Sequence, residues 1–175
     1  MLGNHNVALA LLFIPMAIII TYMDVRYRRI PNKLVLITLT GGIALNTLFG
    51  GTHGLAVSLG GFALAFGLMF FLHVFGTMGA GDVKLFGAIG AINGISLVLP
   101  TLLVVALTGG VLAIFKMIYS GRARATMFGV MHFFYGLLPG QTVPRFVIPA
   151  DRTYTLPYAV PICFGSLLAL LLFHT

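Results

Sequence analysis

Six stretches of the chain are almost wholly apolar, at about 7–23, 34–50, 55–76, 83–99, 101–119 and 156–173. A helix needs about 20 residues, within a range of roughly 17–25, to cross the hydrocarbon core of a bilayer. The pattern therefore predicts an all-α, polytopic membrane protein of about six transmembrane helices. The second, fourth and sixth stretches are short or carry glycine and proline. Pro15, Pro157 and Pro161 fall inside apolar stretches, which membrane helices tolerate because neighbouring groups satisfy the freed carbonyls. The remainder has no room for a soluble domain, so residues 1–175 are expected to form one membrane-embedded domain.

Composition supports lipid as the solvent. Hydrophobic residues make up 59% of the chain and charged ones 7%, against about 25% charged in a soluble domain. Such a chain cannot cover a water-facing surface. Cys163 is the single cysteine and lies in an apolar stretch, which excludes an internal disulfide and a Cys-x-x-Cys zinc site.

The basic residues give the orientation. With six spans, the connections 24–33, 77–82 and 120–155 share one side. Arg26, Arg28, Arg29, Lys33, Lys84, Lys116, Arg122, Arg124, Arg145 and Arg152 all fall on that side or snorkel toward it, and they are all ten Lys and Arg of the chain. By the positive-inside rule that side is the cytoplasm, with both termini outside. Residues 1–25 hold no Lys or Arg, so the first stretch is expected to stay as a helix rather than be cleaved as a leader. The formal charge of +7 is then an attraction to anionic headgroups of membrane lipids, not to nucleic acid. The long connection 120–155 contains an apolar segment at 127–138, too short to span and expected at the membrane interface.

Only three acidic side chains occur, all aspartates. Asp24 ends the first stretch, in Met-Asp-Val-Arg-Tyr-Arg-Arg-Ile-Pro-Asn (23–32), and Asp82 sits in Gly-Ala-Gly-Asp-Val-Lys (79–84), both on the cytoplasmic side. Ionisable groups at membrane spans are costly and usually functional. Two carboxyls that meet there suit peptide hydrolysis: one ionised to take a proton from water, one neutral to polarise the scissile carbonyl. The plainer alternative pairs each aspartate with a local base such as Arg26, Arg28 or Lys84. Gly79 and Gly81 favour the first reading, because glycine can adopt angles other residues avoid and leaves room for a substrate backbone. Asp151 beside Arg152 reads as a solvated ion pair. His5, His53, His73, His132 and His174 share no metal-ligand spacing, and no metal or other cofactor is expected. Gly90-Ala-Ile-Asn-Gly94 fits the small-xxx-small pattern of close helix packing.

On these residues the chain resembles the type IV prepilin peptidases, bacterial Gly-x-Gly-Asp membrane aspartic proteases. The matching residues are Asp24-Val-Arg with Ile30-Pro31-Asn32, Gly79-Ala80-Gly81-Asp82-Val83-Lys84, and Leu156-Pro157-Tyr158-Ala159. The resemblance implies that Asp24 and Asp82 are the catalytic pair and that Gly79, Gly81 and Lys84 support them. It also implies prepilin or pseudopilin substrates, whose short basic leader is removed at the cytoplasmic face of the bacterial inner membrane. Such substrates commonly carry a glutamate a few residues after the cut, for which Arg26, Arg28, Arg29 and Lys84 are the candidate partners. The paired Cys-x-x-Cys motifs of the longer, methylating members do not occur here. The expectation is thus a short form without N-methyltransferase activity, like those serving Flp/tight-adherence pili. Two other readings stay open: a presenilin-like or signal-peptide-peptidase-like protease, which should carry its first aspartate mid-helix, and a non-catalytic transporter using the aspartates as ion ligands.

Overall fold

A computed structural model describes residues 2–75, 78–119 and 158–173, which are helical throughout apart from short turns. The helices are α1 (Leu2–Tyr27), α2 (Asn32–Val74), α3 (Ala80–Asn93), α4 (Ile95–Tyr119) and α5 (Ala159–Phe173). The segment 127–138, with Asp151 and His132, lies outside the described residues. Three helices are long and apolar enough to cross a membrane, over Val7–Tyr27, Asn32–Val74 and Ile95–Lys116. Two compact units divide the chain: Met1–Gly109 together with Pro157–Thr175, and Gly110–Leu156. The site described below belongs wholly to the first.

The 43-residue α2 is not one rod. On a straight helix, rising about 1.5 Å per residue, Asn46 and Ser58 would stand roughly 18 Å apart. Yet Asn46 Nδ2 and Ser58 Oγ donate to the same acceptor, the Ala91 carbonyl, at 2.8 and 2.7 Å. The chain reverses at Gly51, whose φ of 58° and ψ of −142° no residue with a side chain adopts readily. A Cβ on Gly54 would fall on the Asn46 carbonyl, so the two arms, 32–50 and 52–74, meet closely just past the turn. These arms are the second and third apolar stretches of the sequence.

Both arms clasp α3, which is buried along nearly its whole length from Val83 to Asn93. The inward residues of α2 recur every three or four positions: Val35, Thr38, Gly42 and Asn46 on one arm, then Gly54, Ser58, Gly61, Ala65 and Met69 on the other. In lipid, helices associate through close packing and interhelical hydrogen bonds rather than through escape from water. Small residues allow the closeness: a Cβ on Gly61 or on Gly90 would overlap the other's carbonyl oxygen. The expected packing role of Gly90 is therefore seen directly. Large apolar side chains point outward instead, with Leu11, Ile18, Leu48, Phe71, Leu103 and Leu107 each more than half exposed. An apolar exterior on this scale needs lipid against it.

The end of α3 departs from expectation. The sequence placed a span over 83–99 and a boundary at Pro100, but the break is at Gly94 (φ 75°), whose N–H bonds the Gly90 carbonyl at 2.9 Å. Pro100 lies within α4. A left-handed glycine redirects the backbone, whereas a proline near a helix start frees only one carbonyl from its ladder. The last carbonyls of α3, which have no partner within the helix, are met by side chains. Asn46 donates to both Ala91 and Ile92, and Ser58 to Ala91. Asn93, for which the sequence pattern implied no role, donates to Thr101 Oγ1 at 3.0 Å.

Candidate active site

Asp24 is delivered inward by the period of α1. Leu9, Phe13, Ala17 and Ile20 form its buried stripe, and Asp24 is the next position on it, only 8% exposed. One turn later the helix ends on Arg28, whose φ of 53° is left-handed and whose N–H bonds the Asp24 carbonyl at 2.9 Å. Glycine is the usual residue there, and a residue with a side chain costs about 1–3 kcal/mol in that conformation. The bend keeps the Arg28 charge within electrostatic reach of the Asp24 carboxyl. Across the seam to α5, Asp24 Oδ2 accepts the backbone N–H of Ala159 at 3.1 Å. Thr21 meets the Cys163 thiol one turn further along. Descending residues of α1 thus face ascending residues of α5, so the two helices run antiparallel.

Asp82 occupies the first turn of α3, after the cap residue Gly79. Its own N–H and that of Val83 bond the Gly79 carbonyl at 3.1 and 3.3 Å. Its carboxyl accepts the Gly79 N–H in return, as the acid at the third helical position of a capping box does. Asp82 precedes the apolar part of α3 and lies outside the long membrane-crossing helices. Burial first, and the neighbouring Asp24 charge second, push its carboxyl up to about 6, with the Gly79 N–H working against them. The two aspartates are therefore within electrostatic range of each other. A carboxyl titrating near neutral pH is suited to exchange protons there.

One of the two properties expected of the glycines, the freedom to take unusual angles, is not used. Gly79 is extended (φ −74°, ψ 147°) and Gly81 lies inside α3, so neither uses an angle reserved for glycine. What matters is space. A Cβ on Gly79 would stand 3.0 Å from Asp82 Oδ2, while one on Gly81 would meet Ile30 at an ordinary 3.5 Å. Lys84 points out from α3 and donates to Asn32 Oδ1 at 3.3 Å, tying together the two segments singled out in the sequence. Arg26, Arg28 and Arg29 are exposed around the end of α1, where the helix dipole favours cations.

Two groups escaped the sequence reading. Ala159 entered it only as part of the Leu156-Pro157-Tyr158-Ala159 match, because a backbone N–H has no signature in a sequence. His73 entered it only as a histidine without metal-ligand spacing, but its Nδ1–H donates to the Met78 carbonyl at 2.7 Å, just before Gly79. Among the described residues no three His, Cys, Asp or Glu side chains cluster as metal ligands.

No curated protein and no solved structure matches the chain. The model of the type IV leader peptidase family matches residues 11–114, a stretch that contains α2, α3 and both aspartates. That match covers more than half of the sequence, and the chain belongs to the type IV leader peptidase family.

Proposed function

We propose that the protein is a membrane aspartic endopeptidase that removes the short basic leader from type IV prepilin-like precursors of the Flp kind. The observation that carries this reading is the pairing of Asp24 and Asp82, two of only three acidic residues in the chain, within range of each other's charge. The mechanism uses one ionised and one neutral carboxyl. The ionised one takes a proton from water as its oxygen adds to the scissile carbonyl carbon; the neutral one donates to the carbonyl oxygen. On collapse of the tetrahedral species the C–N bond breaks and the proton passes to the leaving amine. The protons belong to the pair, whose apparent pKa values are shared.

The positive-inside rule supports leader removal at the cytoplasmic face of the bacterial inner membrane, because Arg26, Arg28, Arg29 and Lys84 all lie close in sequence to the two aspartates. Arg26, Arg28 and Arg29 at the end of α1, and Lys84 in α3, are exposed and suit an acidic residue of the substrate. Methylation of the new N-terminus is not part of the proposal. Incubating the purified protein in nanodiscs with a set of prepilins tests it, with leader loss read by mass. Intact prepilins throughout, with folded enzyme, would remove the reading.

A further inference from the structure

Resting on that reading, the geometry points to the backbone N–H of Ala159 as the positioning group for Asp24: the start of α5 holds one carboxylate oxygen so that the other is aimed at water and substrate. The first turn of any helix leaves N–H groups without partners. In α5, Tyr158 is the cap, its carbonyl accepting Ile162 N–H at 3.1 Å, and Ala159 is the first helical residue. Pro161 has no N–H to offer. The Ala159 N–H meets Asp24 Oδ2 at 3.1 Å, with Ala159 fully buried and Asp24 nearly so. In such surroundings neither group has bulk water to turn to, so the bond fixes the carboxyl plane. Thr21 meets Cys163 one turn along the same seam. The helix N-terminus also presents its positive dipole end to that carboxylate. Asp82 has the equivalent tether in Gly79, so each member of the pair hangs on one main-chain N–H at a helix start.

Ala159→Pro is the direct test, because proline at the first helical position suits a helix start while deleting its N–H. Leader cleavage is expected to lose about tenfold to a hundredfold in kcat, the scale of one charge-assisted hydrogen bond, with KM unchanged. Ala159→Gly, which keeps the N–H, should recover most of that loss. Should Ala159→Pro fail to fold, replacing Ala159 with lactic acid by cell-free translation exchanges the N–H for an ester oxygen and leaves every side chain in place; the same fall in kcat is expected. Full kcat in a folded proline or ester variant, or a loss that appears only in KM, overturns the inference. Asp24→Asn, run alongside, separates the two claims: an active Asp24→Asn enzyme sinks the aspartic mechanism itself, whereas an inactive one beside a fully active ester variant sinks only the tether.

Discussion

Asp24 and Asp82 are brought together by different local rules, one as the last residue of a buried helical stripe, the other as the acid in the first turn of a capped helix. Their proposed interdependence predicts that Asp24→Asn and Asp82→Asn each lower leader cleavage by about four orders of magnitude, as members of one catalytic unit do. Membrane abundance should stay at the unsubstituted level. A second consequence is electrostatic. Burial is the larger cause of the raised Asp82 pKa and survives Asp24→Asn, while the Asp24 charge does not. The pKa of Asp82 should therefore fall from about 6 only part of the way toward 3.8, read by carbon-13 titration of the carboxyl in nanodiscs. No change would mean that the carboxyls do not interact. The glycines divide as well: Gly79→Ala places a methyl 3.0 Å from Asp82 Oδ2 and should cut kcat, whereas Gly81→Ala makes only an ordinary contact with Ile30. Gly81→Val adds γ-carbons on the Ile30 side and should fail with it. Equal activity of Gly79→Ala and Gly81→Ala would show that space at the carboxyl is not what these glycines provide.

Among the elements, the end of α3 is held by side chains of another helix. Asn46→Leu leaves the buried Ile92 carbonyl without its donor, while Ser58 still serves Ala91. The expected cost is about 1–3 kcal/mol of stability, measurable as a lowered unfolding midpoint in mild detergent; an unchanged midpoint would mean that the carbonyl has another donor. This cap explains what the sequence did and did not disclose. The arms of α2 were legible because apolar length is a direct readout of a span, and Gly-Gly interrupts it. The boundary after Asn93 was not, since Pro100 looks like the stronger breaker and the deciding feature is the positive φ of Gly94. The aspartates stood out because the chain has almost no other acid. Their supports did not, because the Ala159 N–H lies 135 positions from Asp24, and main-chain atoms are alike in every sequence.

At the scale of the molecule, the basic residues have two competing uses: holding anionic lipid and fixing topology, or reading the substrate. A double-mutant cycle separates them. Arg26, Arg28, Arg29 and Lys84 are each changed to Gln, and cleavage is measured on a prepilin with its glutamate intact or changed to Gln. A base that reads the glutamate should show a coupling of about 1.5–3 kcal/mol; equal losses on both substrates assign it to lipid. Lys84→Gln should in addition loosen the link to Asn32, so its loss is expected to exceed its coupling.

The reversal at Gly51 also bears on biosynthesis. Between Lys33 and Asp82 the chain carries no Lys, Arg, Asp or Glu, so a translocon handling the two arms of α2 meets no charge at their tip. Each Lys or Arg placed mid-membrane during insertion costs about 2.5–3.5 kcal/mol on insertion scales. A Gly-Gly-Thr-His-Gly tip without Lys, Arg, Asp or Glu lowers that barrier for the two arms.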